Sequence, residues 1–144
     1  MPKEDKVNDS IRLVLHTIDL IFQLKPHFWV MENPRAMLRK IIGYPHYEIT
    51  QCQYGRPFRK PTDLWGHLPK KFKAKNCKTK DKCHINVSRG ENKGVQGNEM
   101  CGWDLHHNGK WIRFKDASQY RAEIPYGLSL AVCEACEEEC EKIK

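Results

Sequence analysis

The first strong pattern along the chain is helical. Ile11, Val14, Leu15, Ile18, Ile21 and Phe22 recur at three- and four-residue intervals, which predicts an amphipathic helix over 10–24, with Asp9 or Ser10 capping its start and Pro26 stopping it. Phe28–Met31 then form a continuous apolar run without alternation, the pattern of a parallel strand covered on both faces. Glu32, Asn33 and Pro34 follow. A second helical stretch places Ala36, Met37, Leu38, Ile41 and Ile42 on one apolar face, with Pro34 suited to its first turn and Gly43 to its end. Tyr47–Tyr54 reads as another strand, leading into a turn at Gly55, Arg56 and Pro57. Helix, strand, helix, strand is an α/β order, so 9–64 is the predicted core of a single domain covering 1–144. Over 65–119 the periodicity fades into a long irregular Lys- and Cys-rich insertion, which should be functional, metal-stapled or partly disordered. Order returns in 120–144, where Pro125 opens a last helix through Leu128, Ala131, Val132 and Ala135.

Composition narrows the class. The 144 residues allow one domain, and 40% hydrophobic with 30% charged residues suits a globular chain with polar excursions. The longest apolar run, Phe28–Met31, is far short of a membrane-spanning helix, and the charged start lacks the apolar stretch of a signal peptide. Seven cysteines, an odd number, then point to reduced thiols or a metal site, and to an intracellular location that does not distinguish cytoplasm from nucleoid or nucleus.

The formal charge of +7 is concentrated in the middle of the chain. Lys70, Lys71, Lys73, Lys75, Lys78, Lys80 and Lys82 are opposed there only by Asp81, whereas Glu134, Glu137, Glu138, Glu139 and Glu141 crowd the end. Such a lysine run attracts polyanions by counterion release, or is simply a solvated loop. Trp65, Phe72, Trp103 and Trp111 lie among the basic residues, where they either stack on bases or bury a small core.

Within the same segment Cys77, Cys83 and His84 supply two thiolates and an imidazole for a zinc ion, with free thiols as the competing reading. A fourth ligand is open among Cys52, Cys101, His106 and His107, and neighbours in sequence such as Cys83 and His84 need not reach one ion. Cys133, Cys136 and Cys140 share one face of the last helix and read as small thiols packed against a sheet. His16 and His46 read as structural or surface residues.

Glu32 has the position of a ligand-facing residue, because crevices of open α/β sheets lie beyond the carboxyl ends of strands. A plain turn with an Asn cap is the competing explanation. The run Phe28-Trp29-Val30-Met31-Glu32-Asn33-Pro34 resembles the Glu-Asn motif of DNA cytosine-5 methyltransferases of the compact phage, viral and archaeal type. Gln51–Trp65, with its Tyr-Gly turn and basic residues, resembles a later segment of that group. Cys83-His84, Arg89-Gly90, Gln96-Gly97 and Ile124-Pro125-Tyr126-Gly127-Leu128 continue the resemblance toward Cys140.

The resemblance implies part of a Rossmann-like class I methyltransferase sheet that uses S-adenosylmethionine and takes DNA as its partner. It further implies that the target cytosine is flipped out of the duplex, that a cysteine attacks C6, and that Glu32 holds N3 of the ring while Asn33 fixes the turn that aims it. A carboxyl in a dry pocket keeps its proton toward neutral pH, which suits that role. Arg59 and Lys60 would touch the flipped base or its backbone, and Lys71, Lys73 and Arg89 would add DNA contacts.

Two motifs of the resemblance do not occur: no Gly-x-Gly follows a strand, and no cysteine precedes Cys52, which lies too late to be the nucleophile. The chain therefore reads as the carboxyl-terminal half of a split enzyme with a complementary subunit, as a degenerate remnant, or as a retained DNA-binding or regulatory piece; a half-sheet would expose an apolar edge and face, which favours a partner subunit or a homo-oligomer. The rival reading is a small basic nucleic-acid-binding module, zinc-stabilised and without catalysis.

Overall fold

A computed structural model describes residues 3–84, 105–107, 110–112 and 122–142. Helix α1, Lys3–Leu24, extends beyond the predicted 10–24 toward the amino terminus. Strand β1 (Trp29–Pro34), helix α2 (Leu38–Ile42) and strand β2 (Tyr47–Thr50) follow. A 3-10 turn at Gln51–Tyr54 leads to strand β3, Pro61–His67. Strands β4 (Leu105–His107) and β5 (Lys110–Ile112) form a separate antiparallel pair, and helix α3 spans Tyr126–Glu141 with Pro125 at its N-cap.

The main sheet has the order β1-β3-β2, and both outer strands run antiparallel to β3. This corrects the expectation that Phe28–Met31 is a parallel strand buried on both faces: β1 is an outer strand of this sheet and Val30 is exposed. The connections explain it. Residues 35–46, including α2, are long enough to return the chain in the original direction, so β1 and β2 point the same way. Residues 51–60 then turn the chain back, and β3 enters between them.

Strand β3 falls partly in the predicted insertion, yet it is the centre of the molecule, with Thr62–Gly66 buried throughout. Gly66 is required there, because a Cβ at this position would lie 2.2 Å from the Trp29 carbonyl oxygen on β1. The core joins Ile49 and Leu64 of the sheet to Tyr54, to Leu68 and Phe72 beyond β3, and to Leu128 and Ala135 of α3. Trp65 and Phe72 thus belong to the interior, not to a base-stacking surface: the Trp65 Nε1–H donates to the Gly43 carbonyl at 3.0 Å, and Phe72 packs edge-on against Tyr47.

The predicted Tyr47–Tyr54 strand ends at Thr50, where the chain winds into the 3-10 turn. Gly55, with φ of 97°, closes that turn in the left-handed region. On α3, Cys133 and Cys140 are exposed and Cys136 is half-buried, so these thiols are not the buried set that their spacing predicts. Leu128 and Ala135 occupy the buried face instead. No described helix is long and apolar enough to cross a membrane.

Candidate functional site

Closest behind β3 in the polar interior is Gln51, fully buried at the first position of the 3-10 turn and bonded to Thr62. Its Nε2 donates to Thr62 Oγ1 at 3.1 Å and lies 3.4 Å from Glu32 Oε1. Its Oε1 accepts from the Arg56 guanidinium, and Arg56 also donates to the Glu123 carbonyl at 3.1 Å just ahead of α3. Gly55 makes this possible, since the turn folds the Arg56 amide back onto the Gln51 carbonyl at 3.3 Å. A polar chain therefore runs from buried Arg56 through Gln51 to the carboxyl of Glu32.

Glu32 is half-buried and sits within β1 rather than after it, opposite Leu64 of β3. Beside it lies a cavity of about 290 Å³ lined by Val30, Glu32, Leu64, Ile124, Leu128, Ser129, Val132 and Cys133. That is close to the lower bound of about 300 Å³ common for small-ligand sites, and its walls are mainly apolar with few polar groups, as such sites usually are. Asn33 is half-buried in the same strand, and its Nδ2 donates to the Pro34 carbonyl at 3.0 Å.

The basic residues singled out from the sequence separate into different environments. Lys60 is buried, and its carbonyl accepts from the Gln51 amide and the Thr62 hydroxyl, so its position is interior. Arg59 is half-buried and donates from Nε to the Cys77 carbonyl at 3.1 Å. Lys71 and Lys73 are exposed; Lys71 pairs with Glu138 of α3, and Lys73 Nζ donates to the Lys70 carbonyl at 3.3 Å. Arg89, Cys101 and Trp103 lie outside the described residues.

Next to Gln51 in the chain, Cys52 begins a second constellation. Residues 68–84 form a strap held along the edge of β2: the Thr50 amide donates to the Lys75 carbonyl, and the Tyr54 hydroxyl accepts from the Lys75 amide at 3.0 Å. A turn at Lys78–Asp81 brings Cys83 and His84 back over Cys77. The Cys52 sulfur is then 3.3 Å from that of Cys77, 3.9 Å from that of Cys83 and 3.9 Å from His84 Nδ1. His84 Nδ1 is 3.6 Å from the Cys77 sulfur and 3.4 Å from the Cys83 sulfur.

Among the described residues the structure therefore unites Cys77, Cys83 and His84, including the adjacent pair, and brings Cys52 to them as a fourth donor, whereas Cys101 and the side chains of His106 and His107 lie outside the described residues; this set can hold a metal ion. Burial, reinforced by Cys77, pushes the Cys52 thiol up to about 12, so it is no ready nucleophile. Burial also opposes ionisation of Cys77, but hydrogen bonds from Thr50, Cys52, Cys83 and Arg59 bring that thiol below its ordinary value.

Sequence reasoning assigned no role to Gln51, Arg56 or Thr62. The signal was present in the Gln51–Arg56 segment: the turn folds Arg56 inward onto Gln51, so Arg56 is buried as Lys60 is, while Arg59 is half-buried.

No protein-family model and no solved structure matches the chain. A curated protein does: the chain is 32% identical over 95 residues to a "Probable DNA (cytosine-5)-methyltransferase" of Frog virus 3 (isolate Goorha). The match covers 64% of this chain and 44% of the relative, so the chain spans less than half of the protein it resembles. The chain thus contains a methyltransferase-like region, similar over that stretch to a viral DNA (cytosine-5)-methyltransferase.

Proposed function

We propose that this chain is the base-binding portion of a DNA (cytosine-5)-methyltransferase. The observation that carries the reading is the half-buried Glu32 carboxyl at the wall of a mainly apolar cavity, approached from behind by the buried Gln51–Arg56 pair. An extruded pyrimidine has a flat apolar face and a polar edge, and such a cavity offers both kinds of surface. Glu32 would hold a proton against ring N3 as attack at C6 builds negative charge on the ring, while Gln51 fixes the carboxyl and Arg56 fixes Gln51. Asn33, through its bond to the Pro34 carbonyl, would set the strand end that aims Glu32.

S-adenosylmethionine, the methyl donor implied by this reading, supplies an electrophilic methyl group. Among the described residues no strand enters a helix through a glycine-rich turn, so no residue of this chain is assigned to that cofactor. We place the cofactor turn and the nucleophile on a complementary segment or subunit, acting in an intracellular setting. Strand β1 offers that segment an edge unpaired among the described residues, flanked by exposed Val30. Strands added there would extend two co-directional strands toward a Rossmann-like sheet. The exposed Leu13, Phe22 and Leu24 of α1 supply further apolar surface for the same contact.

The test is reconstitution. This chain, combined with the part of the Frog virus 3 relative that it does not match, should transfer a labelled methyl group to cytosine in DNA. Glu32→Gln should lower transfer by about a hundredfold or more while leaving assembly intact. Undiminished transfer by an assembled Glu32→Gln complex would remove Glu32 from the reaction. DNA binding by the strap with no transfer under any combination would instead favour the basic binding module, a reading supported by the exposed lysines and the Cys/His cluster.

A further inference from the structure

We infer that Cys52, Cys77, Cys83 and His84 bind one zinc ion, which clamps the lysine strap to the 3-10 turn and thereby fixes Gln51 against Glu32. Four donors must converge with the right spacing for this ion. For a zinc tetrahedron with sulfur at about 2.3 Å and nitrogen at about 2.0 Å, donor-to-donor edges are about 3.5–3.8 Å. Five of the six donor-to-donor separations span 3.3–3.9 Å, and the four donor atoms, the Cys77 and Cys83 sulfurs included, all lie within 4.8 Å of one another.

The surroundings fit the same ion. His84 turns its Nε2 to the Thr79 carbonyl at 3.1 Å, which fixes the ring with Nδ1 directed into the cluster. The Thr50 hydroxyl donates to the Cys77 sulfur at 3.3 Å, as a partner of a thiolate should. Three thiolates, a neutral imidazole and a dication carry a net single negative charge, and the site lies on a strap rich in lysine with Arg59 against Cys77. Along 73–84 only Cys77 and His84 are buried, so the strap has no apolar anchor of its own in that stretch. A bound ion supplies the missing anchor.

Four protein donors leave no open position, which makes the ion structural and not catalytic. Thiolate with imidazole selects zinc over magnesium, calcium or manganese. The metal site stands apart from the methyltransferase reading; its consequence for Glu32 rests on that reading. The route is short, because Cys52 follows Gln51 directly and Gln51 contacts both Thr62 and Glu32.

Elemental analysis of the full chain, purified without chelators, should find about one zinc per molecule. Cobalt substitution should give the intense visible bands and thiolate charge transfer of a tetrahedral site. Cys77→Ser and His84→Ala should lose the metal to a competing chelator that leaves Cys136→Ser loaded. Because ligand variants can fail to fold, zinc release from the unsubstituted chain by a thiol-reactive mercurial, read with a chromogenic chelator, provides an independent measurement. Metal-free protein without a cobalt spectrum, or a Cys52–Cys77 disulfide in freshly purified material, would overturn the site.

The coupling has its own readout. Zinc removal should increase amide exchange in 50–56 and 72–84 while β1 and β3 stay protected, and unchanged exchange in 50–56 would refute the link to Gln51. These measurements involve no methyl transfer, so they fail or succeed separately from the Glu32→Gln test.

Discussion

Asp63 is fully buried at the centre of β3, a place where an ionised side chain needs specific compensation. Arg39 provides it with two hydrogen bonds of 2.5 Å, and Arg35 adds a contact at 3.5 Å. The bond to Asp63 is the main reason the Arg39 guanidinium holds its proton even more firmly than usual, against the opposing effect of desolvation. Glu48 touches the same two arginines from an exposed position. Asp63→Asn should therefore cost about 1.5–3 kcal/mol, because the buried position loses its charge-assisted bonds to Arg39, which keeps Glu48 as its remaining partner. Glu48→Gln should cost below about 1 kcal/mol, since water screens that pair. Urea denaturation of the two variants checks the contrast, and equal losses would show that Asp63 is not the anchor.

Among the elements, β3 was the hardest to read from sequence. Pro61, Asp63 and Gly66 are poor strand formers, and each is accommodated by a tertiary feature that a local pattern does not contain. Pro61 begins the strand, the two arginines neutralise Asp63, and Gly66 admits the Trp29 carbonyl. Gly66→Ala should destabilise the chain by about 1–3 kcal/mol or more, because the added methyl meets backbone atoms that cannot rotate away. Thermal unfolding measures the loss, and an unshifted midpoint would mean β1 does not pair closely with β3. Helices α1 and α3 were legible because their periodicity is local, as was Pro125 at the start of α3; α2 is shorter than its apolar pattern, because Pro34 ends β1 instead of opening the helix, which begins at Leu38. Of the metal donors, Cys77, Cys83 and His84 were legible by proximity in sequence. Cys52 required the fold, since only the strap along β2 brings it within reach.

For the whole molecule the governing asymmetry is electrical. The strap presents exposed lysines, while α3 presents acidic residues, and the Lys71–Glu138 pair ties the two together. Lys71 is thus partly neutralised, so under the proposed DNA-binding role the attraction should fall chiefly on lysines nearer the Cys/His cluster, including Lys78, Lys80 and Lys82. If each contacts one phosphate, each contributes about −0.9 to the slope of log affinity against log salt concentration. Replacing Lys78 and Lys80 together by Glu should flatten that slope by about two units, whereas Lys71→Glu should change it less. Zinc removal gives the complementary perturbation: it leaves every lysine charge in place but frees their backbone, so binding should weaken at all salt concentrations with the slope nearly retained. Fluorescence anisotropy on duplex DNA across a salt series separates the two effects. A slope that is insensitive to Lys78 and Lys80 would move the DNA-facing surface away from the strap.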